Sequence, residues 1–168
     1  MVRKPDFVFL ESPSKRKLRR GPGISAVIIH HTGSDNALPF LLDPVNQVSY
    51  HYVIEKDGRI TQTVEDEGEA WHSGHGTLFD TPGNPNSYSI GIGLQGDGNK
   101  DAFSLLQMLA LEQLVAYLVF MYSVPLNRVV GHQHVDPNRK VDPGRFFPWH
   151  GFLMNVAKRL LLTQNEDV

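Results

Sequence analysis

The residue types in this chain that could do chemistry together are histidines and one aspartate. His132 and Asp142 lie ten positions apart in the segment 131–144, which is rich in prolines and charges. His30 and His31 end an apolar run about a hundred residues upstream. Imidazole nitrogens and carboxylate oxygens are zinc ligands, and a catalytic zinc commonly has three protein ligands and an open position for water. One upstream histidine, His132 and Asp142 match that count.

The elements around these residues decide whether they can meet. Residues 24–31 form a β-branched apolar run that predicts a buried strand. Adjacent side chains of a strand point to opposite faces, so only one of His30 and His31 can face a shared metal. Turns at Pro137 and Pro143 could fold the segment 131–144 back on itself. A structural loop beside a polar strand end remains the alternative at this point.

The rest of the pattern predicts strands and helices in mixed order. Strands are expected at 49–55, 59–64 and 88–95, and helices at 36–42, 104–122 and 149–162. Asp57-Gly58 between the first two strands indicates a tight hairpin turn. Ser104 and Gln107 have the spacing of a helix capping box. We therefore expect a single α/β domain with one central sheet flanked by helices.

Composition excludes several classes of protein. The chain has 168 residues, of which 40% are hydrophobic and 20% charged, as expected for one globular domain. A formal net charge of -2 argues against a dedicated nucleic-acid binder. There is no cysteine, so a third metal ligand must be a carboxylate or another histidine. The apolar helix contains Glu112 and two glutamines, which favours a buried helix over a membrane span and predicts no stable membrane association.

Five segments of the chain, in order, resemble the zinc-dependent N-acetylmuramoyl-L-alanine amidase family of type 2. This family includes phage lysozymes of the T7 type, bacterial muropeptide-recycling amidases and animal peptidoglycan recognition proteins. The segments are Val-Ile-Ile-His-His-Thr at 27–32, Tyr-His-Tyr-Val-Ile at 50–54, Ala-Trp-His-Ser-Gly at 70–74, Ser-Ile-Gly-Ile at 89–92, and Gly-His with Arg-Lys-Val-Asp-Pro-Gly between 131 and 144. The resemblance implies a catalytic domain over 24–164 with a mixed sheet, and a zinc ion in an open groove.

The resemblance also implies the roles of individual residues. It selects His30 over His31 and gives His30, His132 and Asp142 as the ligands of Zn²⁺. Lys140 takes the position of a catalytic lysine that stabilises the oxyanion formed during amide hydrolysis.

Relatives place a second catalytic group at one of two positions, a tyrosine on the hairpin strand or a glutamate in the Ser-Ile-Gly-Ile strand. This chain has Tyr50 at the first and Gly93 at the second, so the role passes to Tyr50. Trp71, His72 and Arg139 are expected to bind substrate, and His75 to line the same groove.

The function expected from this resemblance is hydrolysis of the amide between N-acetylmuramic acid and L-alanine in peptidoglycan by zinc-activated water. Tyr50 with Gly93 favours a phage-type, bacteriolytic endolysin, and the basic run in the N-terminal arm 1–23 could contact anionic cell wall. The alternatives are a cytosolic muropeptide-recycling amidase, a zinc peptidase and a non-catalytic peptidoglycan-binding module. The N-terminus has no secretory pattern, so a monomer made in the cytoplasm is expected to reach the wall after membrane permeabilisation.

Overall fold

A six-stranded mixed sheet lies at the centre of the protein, whose computed structural model describes residues 2–16, 18–19, 23–74, 76–78, 81 and 83–164. The strands are β1 Val8–Phe9, β2 Lys15–Arg16, β3 Ala26–His31, β4 Tyr52–Ile54, β5 Ile60–Gln62, β6 Glu69–Ala70, β7 Ser89–Leu94 and β8 Val129–Gly131. The helices are α1 Leu38–Leu41, α2 Leu105–Tyr122, α3 His132–Val135 and α4 Trp149–Gln164. The order β1-β5-β4-β7-β3-β8 forms the main sheet, and β2 pairs with β6 separately.

This architecture confirms the predicted α/β domain with a mixed central sheet. Strands β4, β7, β3 and β8 run parallel to one another, whereas β4 and β5 form the antiparallel hairpin. Its turn contains Gly58 at φ +85, the conformation for which glycine is favoured. The hairpin strand β4 begins later than the expected residue 49, so Tyr50 lies just before the strand.

One face of the sheet is covered by α2 and α4. Every second residue of β3 and β7 points to this face, as the period of a strand requires. These residues are fully buried in one cluster with side chains of the two helices: Val27, Ile29, Ile90, Ile92, Leu111, Leu114, Phe152 and Val156. Burying each side chain of this size contributes roughly 1.5–3 kcal/mol. The helical face therefore supplies the largest hydrophobic cluster, and the opposite face carries smaller apolar clusters together with the buried polar side chains.

Helix α2 begins with the predicted capping box. Ser104 Oγ accepts from the backbone N–H of Gln107, and the Gln107 side chain accepts from the backbone N–H of Ser104. The helix is long and apolar enough to cross a membrane by length and composition, but 56% of that stretch is buried within the protein. It lies against α4 and the sheet, as expected for a core helix.

The described part of the segment 1–23 packs onto the rest of the domain. Strand β1 pairs with β5, and β2 pairs with β6. Lys15 lies 2.5 Å from Glu65, Arg16 lies 2.6 Å from Glu69, and Arg19 donates to three backbone carbonyls. These cations of the expected basic arm are thus bound to groups of the domain itself; Lys17 and Arg20 lie outside the described residues.

Candidate metal centre and active-site groove

Three potential metal ligands come together on the face of the sheet opposite α2 and α4. His30 lies near the carboxyl end of β3, and His132 follows β8, which is parallel to β3. Asp142 comes from the following loop. Its Oδ2 lies 2.8 Å from His30 Nδ1 and 3.2 Å from His132 Nδ1. The three residues are buried, and their ligand atoms lie within 4.8 Å of one another.

The hydrogen bonds of His132 show that this group fits a cation. Its Nε2 lies 3.0 Å from the backbone carbonyl oxygen of Ser73, which can only accept a proton. In the neutral ring, Nδ1 then presents a lone pair to the Asp142 carboxylate, so two acceptors face each other. A metal ion between them removes this conflict. Bonds of about 2.0–2.1 Å in tetrahedral zinc also put neighbouring ligand atoms roughly 3.3 Å apart, close to the separations seen here.

The protonation states also suit metal binding, because ligands must be neutral imidazole and ionised carboxylate. Burial lowers the pKa of His30 to about 4, although Asp142 opposes that shift.

His31 takes no part in this group. Its Nδ1 accepts from the backbone N–H of Gly98 at 3.1 Å and lies 3.5 Å from Asp97. The structure therefore brings His30, and not His31, to the other two ligands, as the alternation of side chains along β3 requires.

A groove of about 410 Å³ opens over His132 and Asp142, with the buried His30 against them. All the other predicted site residues line it: Tyr50, Trp71, His72, Arg139 and Lys140. These residues come from three separate regions of the sequence, so the fold assembles the predicted set in one place.

Tyr50 lies against the candidate metal ligand His30, with 5.0 Å between the ring centroids. Gly93 makes room for it, since a Cβ at position 93 would lie 2.9 Å from Tyr50 Cδ2. Burial raises the pKa of Tyr50, and Asp142 adds to this effect. The phenol is therefore a hydrogen-bond donor at neutral pH. The tyrosine occupies space that any larger residue at 93 would need.

Lys140 and Arg139 are placed at the groove by a turn that follows α3. The backbone N–H groups of both donate to the carbonyl of Asp136, and the Arg139 side chain pairs with the Asp136 carboxylate. Trp71, which lines the same groove from another segment, is held by a hydrogen bond from its backbone N–H to Ser49 Oγ at 2.9 Å. The turn places Lys140 at the same groove as His132 and Asp142, so that its ammonium group can meet a developing negative charge there.

His72 differs from the expectation that it binds substrate. Only 5% of the residue is exposed, and both ring nitrogens have protein partners. One of these partners is His30, which places His72 behind a metal ligand. His75 lies outside the described residues. Sequence reasoning missed the contributions of Ser73 and Ser89; the only available signal was their presence in the Ala-Trp-His-Ser-Gly and Ser-Ile-Gly-Ile segments.

Two histidines and an aspartate at the floor of an open groove, with a lysine and a tyrosine beside them, define a metal-dependent hydrolase. Comparison with known proteins gives the family. Residues 19–145 match the N-acetylmuramoyl-L-alanine amidase family, and the chain belongs to it. Enzymes of this family use zinc, and His30, His132 and Asp142 form the group that could hold it.

Individual relatives support this assignment. The chain is 38% identical over 111 residues to the 1,6-anhydro-N-acetylmuramyl-L-alanine amidase AmpD of Haemophilus influenzae, covering 66% of this chain and 59% of the relative. It is 33% identical over 139 residues to AmpD of Escherichia coli, covering 82% of this chain and 74% of the relative. The chain thus spans less than two thirds of the first relative and about three quarters of the second.

Solved structures agree on the fold. One is AmiD of E. coli in complex with the substrate anhydro-N-acetylmuramic acid-L-Ala-D-gamma-Glu-L-Lys, with a TM-score of 0.72, 32% identity, and coverage of 79% of this chain and 57% of that one. The endolysin LysCS of Clostridium intestinale has a TM-score of 0.74 at 20% identity, with coverage of 94% and 99%. At that identity the endolysin shows the shared fold alone.

Proposed function

We propose that the protein hydrolyses the amide bond between the lactyl group of N-acetylmuramic acid and L-alanine, and that its main substrates are soluble anhydro-muropeptides. The observation that carries the hydrolytic function is the buried group of His30, His132 and Asp142 under an open groove. The choice of substrate is supported by relatives named for the 1,6-anhydro compound and by the AmiD complex with an anhydro-muropeptide.

The residues of the groove have complementary tasks in this reaction. His30, His132 and Asp142 would hold zinc, which supplies a water of lowered pKa, toward ~7, and polarises a carbonyl. Lys140 donates to the amide oxygen as that oxygen gains negative charge. Tyr50 donates a hydrogen bond from its phenol and relays a proton to the departing amine of L-alanine. The carbon–nitrogen bond breaks, the carbonyl carbon gains the oxygen of water, and the amine gains a proton.

This proposal replaces the bacteriolytic endolysin expected from the pairing of Tyr50 with Gly93. Two relatives similar in sequence over most of this chain are named 1,6-anhydro-N-acetylmuramyl-L-alanine amidase. The cations Lys15, Arg16 and Arg19, which were expected to contact the wall, bind the domain itself. The expectation of a bacteriolytic endolysin therefore lacks support. The metal group and Lys140 also argue against a non-catalytic binding module.

A comparison of the hydrolysis rates of two substrates tests the proposal. Purified protein with one equivalent of zinc would receive soluble anhydro-muropeptide or intact sacculi, matched in muramyl-L-alanine bonds. Mass spectrometry of the products identifies the bond that is cut. We expect free stem peptides that begin with L-alanine, released much faster from the soluble substrate. His30→Ala is the matched inactive control, because it removes one ligand from the group.

Two outcomes would contradict the proposal in different ways. Faster release from sacculi would favour the lytic function. Cleavage within the stem peptide, with the muramyl bond intact, would identify the protein as a peptidase. Binding of either substrate without any cleavage by the zinc-loaded protein would favour the binding module.

A further inference from the structure

A chain of polar contacts runs from His30 away from the metal group, and beyond His30 it involves no residue to which the reaction gives a role. His30 Nε2 lies 3.0 Å from His72 Nδ1, and His72 Nε2 lies 3.2 Å from Ser89 Oγ. Ser89 Oγ lies 2.6 Å from the carbonyl oxygen of Pro85. His72 is thus the middle member of a chain that ends at a metal ligand.

The last member of this chain determines which atom donates and which atom accepts in each of its hydrogen bonds. The Pro85 carbonyl can only accept, so the Ser89 hydroxyl donates to it. Ser89 Oγ then offers only lone pairs, so His72 Nε2 must donate to Ser89. In neutral His72 the other nitrogen, Nδ1, is an acceptor. His30 Nε2 must therefore donate to it, which leaves His30 Nδ1 unprotonated. That atom is the one that faces Asp142.

The second histidine ligand is fixed by the next residue of the same segment. The carbonyl oxygen of Ser73 accepts from His132 Nε2, so His132 also keeps its Nδ1 free for a metal. Asn86 holds the segment in place, since its side-chain oxygen accepts from the backbone N–H groups of His72 and Ser73 and from Ser73 Oγ. His72 therefore contacts one imidazole ligand, His30, and the next residue, Ser73, contacts the other, His132.

The sheet provides a site for the His72 ring. Ser89 and Gly91 lie on the same face of β7, at alternate positions. A Cβ at Gly91 would lie only 2.3 Å from His72 Cγ, so glycine is required for the ring to occupy this place. Ser89 then fixes the rotation of the ring by its contact with Nε2. The space left by Gly91 and the hydrogen bond with Ser89 together determine where the His72 ring lies and how it is rotated.

From these contacts we infer that His72, directed by Ser89, is a positioning residue that sets the tautomer and orientation of the metal ligand His30. Ser73 does the same for His132 through its backbone carbonyl. Groups that orient a metal-bound histidine in this way typically change metal affinity by roughly 10–100-fold when they are removed. The inference rests on the proposed zinc site, and it gives His72 a task different from substrate binding.

Zinc affinity tests this inference without reference to turnover. Dissociation constants would be measured at neutral pH by competition with a chromophoric chelator. His72→Ala should bind zinc roughly 10–100-fold more weakly than the unchanged protein. His72→Asn should recover most of the affinity, because an amide oxygen can accept from His30 Nε2 in place of the ring nitrogen. Ser89→Ala should show a smaller loss, because it removes only the group that fixes the direction of His72.

The matched control is His51→Asn. His51 is also a fully buried histidine and packs against His72, with 5.6 Å between ring centroids, but it has no hydrogen bond to a ligand. Asn can still accept from the backbone N–H of Gly91, so His51→Asn should bind zinc like the unchanged protein. Thermal unfolding of the metal-free variants shows whether each one folds.

The results separate the inference from the function on which it rests. If the unchanged protein binds no zinc, the proposed function fails. If it binds zinc and His72→Ala binds equally well, the inference alone is wrong. Equal losses in His72→Ala, His72→Asn and His51→Asn would also overturn it, because packing and not the hydrogen bond would then be responsible. Should His72→Ala not fold, unchanged affinity in Ser89→Ala would overturn the inference.

Discussion

Replacing Gly93 by alanine should disturb catalysis through Tyr50 while leaving the metal site intact. The added Cβ would lie 2.9 Å from Tyr50 Cδ2, 3.0 Å from Tyr50 Cε2 and 3.2 Å from Thr32 Cγ2. Carbon atoms favour separations of about 3.5–4.0 Å, so the ring must move by roughly 0.5–1 Å. Gly93 lies in a central strand with neighbours on both sides, so the backbone has little freedom to relieve the contact.

The magnitude follows from two opposing effects. Overpacking a buried site costs about 1–3 kcal/mol. Removing a strand glycine returns roughly 0.5–1 kcal/mol of conformational entropy. The net loss of unfolding free energy should be about 0.5–2 kcal/mol, or roughly 1–8 °C in melting temperature for a domain of this size. Turnover should fall by about tenfold or more, because misplacing a catalytic group by 1 Å can cost ~100-fold.

The assay compares three proteins: the unchanged chain, Gly93→Ala and Gly151→Ala. Gly151 lies in α4, and a Cβ there would have no atom within 4 Å. Gly151→Ala should therefore keep full turnover and gain up to about 1 kcal/mol of stability. Urea unfolding, zinc affinity and turnover of a muropeptide would be measured for each. Normal turnover and stability in Gly93→Ala would refute the reasoning, because the Tyr50 ring would then be free to move.

Three further predictions concern the metal ligands, the catalytic groups and pH. His30→Ala should lose zinc by metal analysis, whereas His31→Ala should retain about one ion per chain; the reverse would mean that the other face of β3 binds the metal. Lys140→Ala and Tyr50→Phe should keep zinc but lower kcat, by ~10²-fold for the oxyanion donor, and normal kcat would remove these residues from the mechanism. Burial lowers the pKa of His51 well below its usual value of 6.5, so the unfolded chain takes up a proton first and stability should fall as pH drops below about 6.5. His51→Asn should flatten that part of the stability curve measured by urea unfolding, and an unchanged slope would contradict the shift.

The grouping of His30, His132 and Asp142 was predictable because each of these residues carries a local signal. His30 ends an apolar strand, and His132 and Asp142 lie in a loop punctuated by prolines. Strand alternation left two choices upstream, and resemblance to a family was needed to choose between them. The structure brings the chosen three together because parallel β3 and β8 end at the same edge of the sheet.

The support behind the ligands was not predictable from residue types. Ser73 acts through its backbone carbonyl. Every residue has such a carbonyl, so the residue type does not indicate this contact. His72 sits in a loop segment, where its neighbours suggested an open groove, but Gly91 on a distant strand makes a pocket for its ring. Such a contact depends on which loop crosses which strand. Local periodicity does not carry that information.

The short outer strands of the main sheet have a consequence for self-association. Strand β1 has two residues and β8 has three, so each outer edge offers few unpaired backbone groups to another chain. Beyond β1, the N–H groups of Leu10 and Ser12 continue to bond the carbonyls of Gln62 and Thr63. If residues 8–12 separated from the sheet, β5 would become an outer strand with unpaired backbone groups. Resistance to strand-by-strand aggregation therefore depends on a few residues far from the groove, and a nick near residue 10 would promote aggregation before it affected the metal ligands.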